Sequence, residues 1–92
     1  MAKSQAVVAT QHASRYLQQL CKHWAHKFTV EFTPEAGNID FGSGERVALK
    51  ADANGLTVAT EGDDINELNR IVEVHIVRFA FREELAFDWK PA

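Results

Sequence analysis

Two long segments of the chain repeat apolar residues every three or four positions, the spacing typical of helices. The first predicts a helix over residues 11–26, with Thr10 as its N-cap. The second predicts a helix that opens at Asp64 and runs to about Leu85, and Glu67, three residues after Asp64, completes the pattern of a capping box. Because each helix carries an apolar stripe, both are expected to cover another element of one core.

Outside these helices, apolar and polar residues alternate, which is typical of half-buried strands. Such runs cover residues 27–33, 39–41, 47–51 and 56–60, and the small and β-branched residues at 4–10 predict a further strand. Asn54-Gly55 predicts a hairpin turn of type I′, in which both central residues need a positive φ. The predicted order is β-α-β-β-β-β-α. It describes an α+β two-layer sandwich, with two helices on one face of an antiparallel sheet of four to five strands, in a single domain over residues 1–92.

The second predicted helix carries more apolar surface than contact with one sheet requires. One stripe, expected to cover the sheet, comprises Ile65, Leu68, Val72, Ile76 and Phe79. A second stripe comprises Ile71, Val74, Val77 and Phe81. The surplus predicts burial against the first helix, the chain end or a second copy of the protein. A structural homodimer with the second stripe as its interface is therefore one functional hypothesis.

Charge is distributed unevenly along the chain. The net charge is −3, yet residues 1–30 contain four lysines and arginines and no acid. The first helix would attract an anion or an acidic partner, or it would balance the acidic remainder of its own domain. A nucleic-acid partner is not expected, because the chain has neither a general basic excess nor a known binding module.

The 92 residues contain one cysteine, Cys21, so an internal disulfide is excluded and a reducing cytoplasm is expected. The start of the chain has no signal-peptide pattern, and no apolar run approaches the roughly 20 residues that span a bilayer. A cytoplasmic protein without a membrane partner is the expectation.

Basic and aromatic side chains are concentrated towards the ends of the two predicted helices. His75, Arg78 and Arg82 share one ridge of the second helix, beside Phe79, and their donors suit a carboxylate, phosphate or catecholate. The opposing wall would comprise Arg15, Lys22, His23 and Trp24. These eight residues predict a site for an anionic or aromatic ligand. Ordinary surface ion pairs are the alternative explanation.

Metal binding is a weaker interpretation of the histidines. His23 and His26 are three residues apart on a helix, so they could share a transition metal. A third ligand would have to come from His75, Glu83 or Glu84. Both histidines could equally cap the helix end, where a cation is favoured. No metal and no cofactor are therefore predicted.

Catalysis has one candidate pair. Glu83 extends the sheet-facing stripe of the second predicted helix, so its carboxylate should be either partnered or raised in pKa. With His75 it could form a small acid–base site, which is the third functional hypothesis. Cys21 is interpreted as a core-edge residue, because helix geometry turns His23 away from it. No catalytic residue is assigned.

Four segments carry a family resemblance: residues 13–17, residues 21–28, Ile39-Asp40-Phe41-Gly42, and residues 78–85 together with Trp89. The chain resembles the bacterial domain-of-unknown-function family 2218 over nearly its whole length. The resemblance implies a small bacterial cytoplasmic protein. It also implies a link to iron metabolism, because some related domains are joined to flavin-dependent proteins that handle ferric siderophores. The leading hypothesis is a binding or accessory domain for an anionic or aromatic small ligand.

Overall fold

The computed structural model describes residues 2–80 and 82–92. The elements are β1 (Ala2–Val8), α1 (Ala13–Trp24), β2 (Thr29–Phe32), β3 (Ala36–Asp40), β4 (Arg46–Asp52), β5 (Gly55–Gly62), α2 (Ile65–Phe79) and β6 (Lys90–Pro91). The six strands form one antiparallel sheet in the order β2-β3-β4-β5-β1-β6. The predicted α+β class is confirmed, with one strand more than expected.

One face of the sheet is buried under both helices. Along β1, the side chains of Ser4, Ala6 and Val8 are buried while their neighbours are exposed, and β4 begins with the same alternation. The core is completed by α1 residues Ala13, Tyr16, Leu17, Leu20, Cys21 and Trp24 and by α2 residues Leu68, Val72 and Ile76. The apolar stripes predicted from helical spacing are therefore the surfaces that pack on the sheet.

The start of α1 differs from the prediction. The helix begins at Ala13, and its N-cap is His12, whose side chain makes no capping hydrogen bond. Thr10 is therefore not the cap. Its hydroxyl accepts a hydrogen bond from the backbone N–H of His12 at 3.0 Å and donates to the carboxylate of Glu83. The second cap is as predicted, because the Asp64 side chain accepts a hydrogen bond from the backbone N–H of Glu67.

The hairpin between β4 and β5 is present, but it is not of type I′. Asp52 pairs with Gly55, so the central residues are Ala53 and Asn54, and no described non-glycine residue has a positive φ. The Asp52 carboxylate accepts hydrogen bonds from the backbone N–H groups of Asn54 and Gly55. The side chain of Asp52 therefore stabilises a turn that needs no left-handed residue between the strands.

The end of α2 is the largest departure from the prediction. The helix ends at Phe79 rather than near Leu85, and the chain then runs back so that β6 pairs with the edge of β1. Leu85, Phe87 and Trp89 pack against the core, and the Trp89 indole donates to Glu73 of α2. The C-terminal segment therefore supplies part of the burial that the apolar surplus of α2 predicted.

Three buried polar residues form a hydrogen-bonded ring where β1, β5 and α2 meet. The hydroxyl of Thr60 donates to Oδ1 of Asn69 at 2.5 Å, and Nδ2 of Asn69 donates to the hydroxyl of Ser4 at 2.8 Å. The two hydroxyl oxygens lie 2.5 Å apart, which closes the ring. Each side chain of the ring therefore has a hydrogen-bond partner, and the bonds between Asn69 and the two strands fix α2 on the sheet.

Within the described residues, neither helix combines the length and the apolarity that crossing a bilayer requires.

Candidate functional site

The end of α1 lies against the second half of α2. The ring centres of His23 and His75 are 5.2 Å apart, those of Trp24 and His75 are 5.0 Å apart, and those of His23 and Phe79 are 6.3 Å apart. Four of the eight predicted ligand residues are therefore in one group, which we call the histidine–aromatic cluster.

A cleft of about 310 Å³ lies beside this cluster, at the start of α1 and beyond the end of α2. Its lining comprises His12, Arg15, Tyr16, Phe79, Arg82 and Glu83. We call it the basic cleft. Phe79 belongs to both groups, so the predicted ligand residues divide into two neighbouring sets on either side of this ring. Arg15 and Arg82 are in the cleft, and His23, Trp24 and His75 are in the cluster.

The wall of the basic cleft is fixed by a hydrogen-bond network around Glu83. Its carboxylate accepts hydrogen bonds from the hydroxyl of Tyr16 and from the hydroxyl of Thr10, the latter at 3.0 and 3.1 Å to its two oxygens. The bond from Tyr16, followed by that from Thr10, holds the pKa of Glu83 below its usual value. Burial, together with the neighbouring carboxylate, raises the pKa of Tyr16 to about 12. At neutral pH the cleft therefore contains an ionised Glu83 and a protonated Tyr16.

The acid–base hypothesis finds little support in this geometry. Glu83 is partnered and its pKa is lowered, whereas a general acid at neutral pH needs a raised pKa. His75 does not line the basic cleft, and its Nδ1 lies 2.7 Å from the carbonyl oxygen of Ile71 in its own helix. The basic cleft therefore does not bring His75 and Glu83 together.

Two predicted ligand residues lie outside both groups. Lys22 and Arg78 are exposed, and neither lines the basic cleft. The predicted ridge of three donors assumed that α2 continues through Arg82. The helix ends at Phe79, and the chain then changes direction. Arg82 therefore lies near the start of α1, in the basic cleft.

Sequence reasoning missed His12, Thr10 and Tyr16 as site residues. The pattern placed Tyr16 only within the first predicted helix, and Thr10 only as the cap of that helix. One signal was available for Tyr16, because a buried tyrosine hydroxyl normally requires a hydrogen-bond partner. The sequence offers no local signal that this partner is Glu83.

Cys21, which was predicted at the edge of the core, lies inside it. Its side chain is fully buried, and burial raises the pKa of the thiol to about 11. The thiol is therefore protonated at neutral pH and poorly suited to nucleophilic attack or metal binding.

The described side chains that could bind a metal do not form the groups that a complete metal site requires. Across the described ranges, no three or more His, Cys, Asp or Glu side chains come together in a way that could hold a metal ion. His26 is exposed in the turn after α1. The histidine that approaches His23 is His75, from the other helix.

The predicted interface stripe is only partly exposed. Ile71 is half-buried, whereas Val74 and Val77 are 39% and 47% exposed. The fourth predicted interface residue, Phe81, lies outside the described residues.

A larger hollow of about 550 Å³ lies on the open face of the sheet. Two ion pairs lie along the strands that line it: Lys3 lies 3.4 Å from Glu61, and Arg46 lies 3.8 Å from Asp40.

The family model described as "Uncharacterized protein conserved in bacteria (DUF2218)" matches residues 5–90, nearly the whole chain. The chain belongs to this family. The resemblance carried by the sequence segments is thereby confirmed. The chain is also similar to PA4090 from Pseudomonas aeruginosa, whose structure was determined by NMR. The two share 40% sequence identity and a TM-score of 0.78, over 100% of this chain and 98% of the other. No curated protein matches the sequence.

Proposed function

We propose that this domain binds a small anionic ligand in the basic cleft, with a flat part of the ligand against Phe79. One observation carries the proposal. Arg15 of α1 and Arg82, from the segment that follows α2, line the same cleft beside the ring of Phe79. Guanidinium groups suit carboxylate, phosphate and catecholate oxygens, because their planar N–H donors can bind two oxygens together.

Two guanidinium groups and one carboxylate, that of Glu83, line the cleft, so its formal charge is positive. The carboxylate of Glu83 already accepts hydrogen bonds from Tyr16 and Thr10, so it fixes the wall of the cleft. Two arginines and His12 line the same space. The volume of about 310 Å³ is at the lower end of the range for ligand pockets, which favours a single-ring or short polycarboxylate ligand.

The specific version of the proposal is an accessory role in ferric-siderophore handling in the bacterial cytoplasm. It rests on the family resemblance, which implies iron metabolism. A catecholate also combines a flat ring with adjacent oxyanions, the two features that the cleft suits. The buried and unpaired thiol of Cys21 fits a reducing compartment.

The first prediction concerns Arg15. Titration of ¹⁵N-labelled protein with 2,3-dihydroxybenzoate, benzoate, citrate and phosphate should shift the amide signals of residues 12–16 and 82–84 for at least one probe. Arg15→Gln should weaken the binding of that probe about tenfold, since a hydrogen bond to a charged group contributes about 1.5 kcal/mol. Arg46→Gln removes an exposed arginine from the open sheet face and should leave the affinity unchanged.

Absence of shifts with all four probes, or shifts confined to the open sheet face, would reject the anion site.

The proposed role in iron handling has its own test. The ferric complex of 2,3-dihydroxybenzoate should bind more tightly than the free acid. Equal or weaker binding would remove the iron role and leave the anion site standing.

A second candidate function is a homodimer formed through α2. It is favoured by the exposure of Val74 and Val77, neighbours on one side of the helix. Light scattering coupled to size exclusion should then give twice the chain mass, and Val77→Lys should give the monomer mass. Val7→Lys alters a valine on β1 that is even more exposed, at 59%, and should leave the dimer intact. A wild-type monomer at high protein concentration would contradict this function.

A further inference from the structure

We propose that His23 and His75 form a two-histidine site for a divalent transition-metal ion, with Cu(II) as the tightest binder. The site belongs to the histidine–aromatic cluster and does not rest on the basic cleft. The two imidazoles come from different helices, and their ring centres are 5.2 Å apart with the planes inclined at 48°.

The ring separation suits a shared metal ion. Imidazole nitrogens bind such ions at about 2.0–2.1 Å, so two rings on neighbouring positions of one ion have their centres roughly 4.5 Å apart in the square-planar geometry that Cu(II) prefers and roughly 5 Å apart in tetrahedral geometry. The observed 5.2 Å between the ring centres is close to these values. His23 is exposed and His75 is half-buried, so an ion can enter from solvent.

The second observation concerns the orientation of His75. Its Nδ1 lies 2.7 Å from the carbonyl oxygen of Ile71, and a carbonyl can only accept a hydrogen bond. Nδ1 therefore carries the proton, and in the neutral ring Nε2 carries the lone pair that a metal needs. An imidazole whose other nitrogen donates to a backbone carbonyl is the usual arrangement at protein metal sites, because it fixes both tautomer and ring orientation.

The aromatic surroundings hold the pair in place. Trp24 lies 5.0 Å from His75 and Phe79 lies 6.3 Å from His23, between ring centres, so the two imidazoles have packed neighbours. No third His, Cys, Asp or Glu side chain joins them within residues 2–80 and 82–92. Water would complete the coordination, which predicts an exchangeable ion of moderate affinity rather than a structural metal. Copper is expected to bind most tightly, because affinities for nitrogen ligands peak at Cu(II) along the divalent series.

Isothermal titration calorimetry with copper(II) chloride and zinc chloride tests the site. The wild-type protein should bind one Cu(II) per chain, and Zn(II) more weakly. His23→Gln and His75→Gln should each lower the Cu(II) affinity at least about tenfold, by analogy with the loss that follows removal of a supporting residue. The matched controls are His12→Gln and His26→Gln, which alter the other two histidines and should leave the affinity unchanged.

A paramagnetic readout locates the ion. At substoichiometric Cu(II), amide signals near His23, Trp24 and His75 should broaden before those of residues 2–4, which flank the terminal amine. Undiminished binding in both His23→Gln and His75→Gln would overturn the assignment, as would broadening that begins at the terminus. Because His23 is exposed, His23→Gln should fold normally. The test is therefore decisive even if His75→Gln destabilises the protein.

Discussion

Replacing Gly55 by alanine should destabilise the domain by about 3 kcal/mol or more, a large part of the roughly 5–10 kcal/mol expected for a chain of this size. The cause is a close approach of two backbones. Gly55 has a φ of +152°, and a Cβ atom built there would lie 2.1 Å from the carbonyl oxygen of Val8 and 3.0 Å from its carbonyl carbon. Both atoms belong to β1, which pairs with β5 on one side and β6 on the other. Val8 pairs with Leu56, the residue after Gly55, so moving Val8 away would disturb the pairing of β1 with β5.

Gly42→Ala provides the matched control. Gly42 also has a positive φ, +85°, but a Cβ atom there would meet nothing within 4 Å. Its substitution should cost only the backbone strain of about 1 kcal/mol. Urea denaturation followed by circular dichroism measures both losses. Similar midpoints for the two variants would show that strain at φ, and not contact with β1, explains the need for glycine.

The parts of the fold that the sequence predicted are those with a strong local period. The stripe of α1, with Tyr16, Leu17, Leu20 and Trp24, is buried as its spacing required. The one-sided alternation of β4 and the cap at Asp64 are also present. In these segments the local preference and the tertiary packing favour the same structure, so the pattern was sufficient.

The C-terminal segment shows why prediction failed elsewhere. Val77 and Leu85 fit a continued helical stripe, yet residues 83–90 also alternate strictly between half-buried and exposed positions, as in a strand. The sequence is compatible with either period. The extended form includes a hydrogen bond from Trp89 to Glu73 and pairing with β1, which are contacts between distant parts of the chain.

The candidate site was predictable only in part for the same reason. The aromatic and basic residues at the helix ends were visible from their composition. Their division into two groups was not, because it depends on where α2 ends. The cleft depends on Thr10 and Tyr16 meeting Glu83 from the far end of the chain, and no local pattern encodes that contact.

Replacing Asn69 by aspartate should destabilise the domain at neutral pH by about 2–4 kcal/mol, because it places a charge in the buried polar ring. Asn69 is 7% exposed. The substitution removes the Nδ2 donor to Ser4, so only the single protons of the Thr60 and Ser4 hydroxyls are left to bond the carboxylate. Those two bonds offset part of the cost of desolvating the charge. Asn66→Asp changes an exposed asparagine in the first turn of the same helix, where a negative charge is favourable, and should be neutral or slightly stabilising.

The sign of the pH dependence separates a buried charge from a lost hydrogen bond. Burial should raise the pKa of the introduced carboxyl in the folded protein above its value of about 3.9 in the unfolded chain. Below that lower value the group is protonated in both states, so the charge contributes no penalty. The penalty then grows as the pH rises towards the folded-state pKa, and it is constant above it. Urea midpoints of the variant and the wild type, measured from pH 3.5 to pH 8, should therefore diverge as the pH rises. A difference that does not change with pH would mean that the ring loses only the amide donor, since a carboxyl that stays solvated has no reason to shift its pKa.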